Sequence, residues 1–239
     1  MNNCKNCNEQ FHGNYCSNCG QPAELRKIDG RYIIHEIASA FNAEKGLLFT
    51  TKKVLLSPGE SIRYYINENR SRYVKPITFL IVTSLIYTLI CHYFKIGAEE
   101  FYIQQSDIEM PTLNLFITWM IDNNGYLSII IGLFIAFPIR LFFRKYGFNL
   151  FEIFVLLCYL SGIASLIFSV TLIIQGIMHW NLIHITVLIV MIYDTWAIGQ
   201  FFDRRKAVSY IKAFLSYFLG IVVISFSITF IALFIDIFL

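Results

Sequence analysis

Charged residues are scarce in this sequence. Asp, Glu, Lys and Arg make up 15% of the 239 residues, whereas hydrophobic residues make up 56%. A soluble globular domain has a charged fraction of about one quarter, so this composition argues against a soluble fold. The formal net charge of +3 is too small to indicate nucleic-acid binding, and no nucleic-acid partner is expected.

Export and catalytic patterns are also lacking. The amino-terminal stretch MNNCKNCNEQ has no charged-then-apolar secretory signal, so we expect this end to stay in the cytosol. The stretch HEIAS at His35 lacks the second His of an HExxH site, and neither a GxSxG elbow nor a Walker A loop occurs. No enzyme activity is predicted, and the lack of internal repeats gives no support to an inverted-repeat transporter.

Long apolar runs dominate the chain after residue 75. Residues 1–75 hold 11 of the 19 Lys and Arg residues. A membrane-spanning helix needs roughly 20 predominantly apolar residues. Five segments qualify, at about 76–94, 125–143, 150–174, 181–202 and 213–238. The sequence therefore predicts an all-α membrane protein, with a five-span domain at 76–239.

Basic residues predict the orientation of these spans. They precede the first span and recur at 144–145 and 204–206, which are alternate connections. Because such connections face the cytosol, we expect a cytosolic amino terminus and an external carboxyl terminus. The external loop contains PTLNLFITWM at 111–120, which we interpret as an interfacial helix.

Four cysteines stand at the front of the polar part. Cys4, Cys7, Cys16 and Cys19 form two CxxC pairs that are eight residues apart. This spacing lets four thiolates surround one tetrahedral Zn²⁺ at ~2.3 Å. We predict a structural zinc ribbon at 1–22, with a redox dithiol or an iron–sulfur site as alternatives. Four sulfurs complete the site, so His12 is not expected to be a ligand.

Residues 23–75 form the predicted cytosolic amphipathic helical linker. Apolar residues recur at helical spacing from 25 to 49, which predicts one or two amphipathic helices that lie in the membrane interface or pack on the cytosolic ends of the spans. The stretch SPGE predicts a capping box, with Ser57 as the N-cap, Pro58 at the first helical position and Glu60 closing the box.

The linker ends in a basic cluster that includes an aromatic residue, namely Arg70, Arg72, Tyr73 and Lys75. Two interpretations stay open. The cluster is a topology signal, or it contacts lipid headgroups, because an anionic membrane surface attracts cations.

Three ionisable residues fall within or beside the spans. They are Arg140, Glu152 and Asp194. Buried charges in a membrane need a partner or a function. Asp194 and Arg140 therefore form a structural ion pair, or the three residues contribute to a substrate or proton site.

The motifs resemble an uncharacterised family of bacterial membrane proteins, common in the Bacteroidetes. Members pair an amino-terminal zinc ribbon with a Pro-Gly…Arg-x-Tyr-Val-x-Pro segment before the first span. The matching positions in this segment are Pro58, Gly59, Arg72, Tyr73, Val74 and Pro76. Glu152 matches a later family element, KYGFNLFEIFVLL, in which an aromatic-rich stretch with a Glu opens a span. The resemblance covers the first ninety residues well. It implies a bacterial inner membrane and this architecture, and it assigns no activity.

Two functions follow from these observations. The first is a scaffold or interaction protein in the inner membrane, which binds a protein partner through the ribbon and membrane lipids through the basic cluster. The alternative is a small oligomeric transporter or permease that uses polar residues in the helix bundle.

Overall fold

The computed structural model describes residues 2–4, 7, 9–13, 16–19, 46–68, 70, 72–94, 112, 119, 124–178 and 180–238. The chain divides into two compact units, Met1–Phe41 and Asn42–Leu239. The linker helices predicted before residue 46 lie outside the described residues. So does the interfacial helix predicted at 111–120, apart from positions 112 and 119.

The first unit contains a short antiparallel strand pair. Strand β1, Asn2–Asn3, pairs with β2, Gln10–Phe11. The Cys4 amide donates a hydrogen bond to the carbonyl oxygen of Glu9 (2.9 Å), which extends the hairpin by one step. The hairpin turns the chain back on itself over the first cysteine pair.

The second unit is helical in the part of the chain that the structure describes. Its α-helices are α1 Leu47–Leu56, α2 Pro58–Asn67, α3 Pro76–Phe94, α4 Asn124–Phe142, α5 Leu150–Met178, α6 Ile183–Asp203 and α7 Ala207–Phe238. A 3-10 turn, Arg144–Tyr146, follows α4, and Gly147 with φ 76° lets the chain reverse there.

Four of these helices are long and apolar enough to cross a membrane, namely α3, α5, α6 and α7. Helix α4 contains a shorter apolar stretch, Leu127–Phe142. The prediction of a multi-helix membrane protein is therefore confirmed, and each predicted span coincides with a helix. That α4 also crosses the membrane stays a prediction.

Helix α5 is the centre of the bundle. It packs against α3, α4 and α6, and also against the short helices α1 and α2. Gly162 of α5 lies so close to the ring of Phe79 on α3 that a Cβ atom there would be 2.5 Å from the ring. Helix α7 packs on α4 and α6. It is the least buried of the four long apolar helices, with 11% of its most apolar stretch buried, compared with 56% for α5.

Helix α2 begins as predicted, but it is capped differently. Ser57 is the N-cap and Pro58 follows it, yet the Ser57 side chain makes no capping hydrogen bond. Instead, the Gly59 amide donates to Oε1 of Gln200 in α6 (2.8 Å). The predicted capping box is therefore wrong, because a spanning helix supplies an acceptor for this helix end.

A reciprocal capping box does occur at the start of α5. The Asn149 amide donates to Oε2 of Glu152 (2.8 Å), and the Glu152 amide donates to Oδ1 of Asn149 (2.9 Å). These two bonds satisfy amides that the helix itself leaves unpaired. Glu152 thus has a structural role at the end of the helix.

Two tyrosines of the spanning helices donate hydrogen bonds to backbone carbonyls, one in the connection between α2 and α3 and one in α1. The Tyr159 hydroxyl of α5 donates to the carbonyl oxygen of Val74 (2.7 Å). The Tyr193 hydroxyl of α6 donates to the carbonyl oxygen of Val54, near the end of α1 (2.9 Å). These contacts pack the stretch 47–75 on the ends of the spans. Of the amphipathic helices predicted at 25–49, only the part from residue 46 onward is described, so the choice between their two arrangements stays a prediction.

At Gly59 the backbone of α2 lies very close to the backbone of α6. A Cβ atom at this position would lie 2.4 Å from the carbonyl carbon of Gln200 and 2.5 Å from the nitrogen of Phe201. Both neighbours are backbone atoms, so neither can move without shifting α6. Only glycine fits here.

We therefore expect Gly59→Ala to destabilise the second unit by about 1–3 kcal/mol, because the methyl group overpacks a backbone contact. The measurement is the thermal unfolding midpoint of the purified full chain in detergent. Gly132→Ala in α4 is the matched control, since its nearest neighbour would be 3.6 Å away. That variant should be as stable as the wild type or slightly more so. Equal midpoints for Gly59→Ala and Gly132→Ala would contradict the claim that only glycine fits at position 59.

Candidate functional site

The four predicted metal ligands come together in the first unit. Their Sγ atoms all lie within 4.8 Å of one another. The Cys4 and Cys19 sulfurs are 3.4 Å apart, Cys7 and Cys16 are 3.6 Å apart, and Cys7 and Cys19 are 3.5 Å apart. A tetrahedron with arms of ~2.3 Å has edges of about 3.8 Å, so the spacing fits four sulfurs around one ion.

The arrangement also distinguishes metal binding from disulfide bonding. A disulfide requires sulfurs about 2 Å apart, and none of the four cysteines forms one. Cys4 and Cys16 are buried, whereas His12 is exposed and does not belong to the cluster. Four thiolates can hold one metal ion and leave no open coordination position for a substrate or a reactive water.

A second candidate site is a cavity in the second unit, which we name the polar cavity. It measures about 270 Å³ and is formed by α1, α2 and the connection to α3. Its lining residues combine cations, a carboxylate and hydroxyl groups, namely Phe49, Lys53, Ser57, Glu60, Ser61, Tyr64, Arg72 and Tyr73.

Tyr73 is central to this cavity. Its ring lies 5.3 Å from that of Phe49 and 6.2 Å from that of Tyr65. Burial raises the pKa of the Tyr73 phenol by more than the nearby Arg72 guanidinium lowers it, so the hydroxyl stays protonated at neutral pH. The Arg72 guanidinium lies over the Phe49 ring at 5.2 Å, which is a cation–π distance.

The structure divides the predicted basic cluster. Arg72 and Tyr73 line the polar cavity. Arg70 lies instead over the ring of Tyr65, at 5.9 Å, and donates to the carbonyl oxygen of Ile66. Lys75 is exposed and does not line the polar cavity. Two of the four residues therefore share a site.

The three intramembrane ionisable residues are not brought together. Asp194 in α6 is 4% exposed and accepts a hydrogen bond from the Tyr217 hydroxyl of α7 (2.7 Å). Arg140 is exposed, and Glu152 caps α5. Within the described ranges, the ion pair found is Lys206 with Asp203, so the expected Asp194–Arg140 pair is not formed.

Several residues at these sites were missed by reasoning from the sequence. Phe49, Lys53 and Ser57 recur every four residues, which is the spacing of one helix face, and this signal could have placed them together. Tyr217 and Gln200 gave no comparable signal. Each is a lone polar residue whose partner lies on another helix.

Of three comparisons with known proteins, one found a match. Residues 44–88 match a family model described as a protein of unknown function (DUF3667). That range contains α1, α2, most of α3 and all eight residues of the polar cavity. No curated protein and no solved structure matches the chain. The match supports an uncharacterised domain and assigns it no activity.

The sulfur cluster predicts the metal content of the purified chain. We expect one bound metal ion per chain in the wild type and its loss in Cys16→Ser, because three thiolates hold the ion much less tightly than four. Elemental analysis by mass spectrometry measures the content. Cys158→Ser is the matched control, since Cys158 is as buried as Cys16 but lies in α5. Full retention of metal by Cys16→Ser would overturn the four-ligand assignment.

Proposed function

We propose that this integral membrane protein is an interaction protein that presents a structural zinc module to a protein partner. The supporting observation is the closed set of four thiols, whose sulfurs lie within 4.8 Å of one another. A closed site stabilises a small fold and provides a rigid surface without chemistry of its own. The second unit, Asn42–Leu239, which we call the helical unit, serves as the membrane anchor.

Zinc is the ion that best suits this ligand set. Four cysteine sulfurs at tetrahedral spacing suit zinc or iron, and a short hairpin with two CxxC pairs is typical of zinc ribbons. Thiols remain reduced in the cytosol, so the module is expected on that side of the membrane.

The distribution of charge supports an orientation. The described Lys and Arg residues of the helical unit occur at one end of the spans, where α3 and α7 begin and α4 and α6 end. The positive-inside rule places this end in the cytosol. With the resemblance noted above, this gives a multi-pass protein of a bacterial inner membrane, with a cytosolic amino terminus and an external carboxyl terminus.

Hydrogen bonds tie the short helices to the spans at the end of the anchor that we propose is cytosolic. Gln200 and Tyr193 bond the backbone of the short helices, and Tyr159 bonds that of the connection to α3. Arg72 and Tyr73 in the polar cavity are available to headgroups at this end.

The proposal predicts a partner that depends on the zinc module. Crosslinked affinity purification from native membranes should recover a protein with the wild type and with Cys158→Ser. Cys16→Ser should lose it, because the unfolded module no longer offers a binding surface. The three proteins are compared at matched abundance. If every recovered protein is retained by Cys16→Ser, the module is not the binding element.

One observation favours the alternative function of a transporter. Asp194 Oδ1 and the neighbouring Thr195 Oγ1 are buried and have no hydrogen-bond partner among the described residues. Unpaired polar atoms inside a helix bundle are costly and often mark ion or proton pathways. This pair of atoms is the place in the bundle where a transported ion or proton would bind.

Asp194→Asn separates the two functions. Asparagine keeps an acceptor for the Tyr217 hydroxyl but removes the carboxylate. For an interaction protein we expect partner recovery to be unchanged. We also expect vesicles that contain the wild type or the variant to show the same proton flux as empty vesicles, measured with an enclosed pH-sensitive dye. A proton flux that the wild type supports and Asp194→Asn abolishes would favour the transporter.

A further inference from the structure

A large cavity lies where α4 ends and α7 begins, and we name it the cationic groove. It measures about 720 Å³. Two separate connections supply its basic side chains. Arg144 and Lys145 come from the 3-10 turn after α4, and Lys206 and Lys212 come from the connection into α7 and its second turn.

The charge of this groove is poorly compensated. Its lining contains four cations and no carboxylate. Lys206 pairs with Asp203 at 2.9 Å, and in the described part of the chain the other three have no ion pair. Like charges that converge on one cavity repel each other unless an anion enters.

A neighbouring cavity shows the contrast. It measures about 440 Å³ and is lined by Arg63, Arg204 and Arg205, but also by Glu60 and Asp203. Its positive charge is therefore largely balanced by carboxylates. The excess of positive charge at the cationic groove is therefore not shared by every surface at this end of the bundle. The cavity beside it that is lined by Arg140 and Arg144 also lacks a carboxylate, but it has two cations where the groove has four.

The groove also has an apolar wall. Leu141 of α4 and Val208 of α7 line it and are 60% and 57% exposed. Away from the groove, α7 contains a long apolar stretch and α4 a shorter one, Leu127–Phe142. Side chains of this kind beside cations suit a ligand with an anionic group and a hydrocarbon part. A small inorganic anion would leave these apolar surfaces in water.

We propose that the cationic groove binds the phosphate group of an anionic phospholipid. The shared chemistry is a phosphate held by Arg144, Lys145, Lys206 and Lys212, and a soluble phosphate ester could also supply it. The apolar wall favours the lipid. This site belongs to the helical unit, so it stands or falls independently of the proposed zinc module and its partner.

Native mass spectrometry of the full chain tests this proposal. The protein is released from detergent after incubation with equal amounts of phosphatidylglycerol and phosphatidylcholine. We expect the wild type to retain phosphatidylglycerol preferentially. Lys145→Gln/Lys212→Gln should reduce this preference by about tenfold or more, since each juxtamembrane cation contributes on the order of 1 kcal/mol.

The matched control is Arg204→Gln/Arg205→Gln, which removes two charges from the same end of the bundle but outside the groove. Its preference should stay within about twofold of the wild type. Equal thermal midpoints for the three proteins show that the helical unit is intact. No preference in the wild type, or the same loss in both variants, would overturn the proposal.

Soluble glycerol 3-phosphate distinguishes the two sources of the phosphate. If it fails to displace phosphatidylglycerol, the groove recognises a lipid, as we expect. If it displaces the lipid from the wild type at similar concentration, the phosphate alone is recognised. That result would overturn the assignment of a lipid ligand and make a soluble phosphate ester the ligand.

Discussion

The constraint on which the helical unit depends is that backbone groups at helix ends need partners even inside an apolar bundle. Helix α1 ends and helix α2 begins against α5 and α6. Little water is available there to the carbonyls and amides that the two helices leave unpaired at these ends. Tyr193 and Gln200 of α6 supply the missing donor and acceptor, and Tyr159 of α5 donates to the carbonyl of Val74 in the connection to α3. These polar side chains thus decide where the short helices lie.

This dependence explains why the matched segment is not a separate domain. Residues 44–88 contain the short helices, but the side chains that satisfy their backbone belong to α5 and α6, beyond residue 88. The aromatic contacts run the same way. Tyr65 packs on Tyr159, and Tyr159 on Phe79, so α2, α5 and α3 share one cluster. In this chain the matched segment therefore depends on the bundle around it.

Local features of the fold could be predicted from the sequence, and features that join distant helices could not. The CxxC spacing places four sulfurs together because fewer than twenty residues separate them, and apolar run length marks the spans. The cap of α2 was mispredicted because its acceptor, Gln200, is 141 residues away. The partner of Asp194 was mispredicted because sequence indicates depth along a helix and not which neighbour it faces. Tyr217, not Arg140, faces it.

The pairing of Asp194 with Tyr217 has a consequence for biogenesis. Helix α6 is the least hydrophobic of the four long apolar helices, with a mean hydropathy of 1.6, and α7 is the most hydrophobic, at 2.7. During synthesis α6 leaves the ribosome first, so its carboxyl group reaches the translocon before its hydroxyl partner exists. We therefore expect α6 to partition stably into lipid only once α7 supplies this partner, so that the last two helices enter the bilayer as a pair.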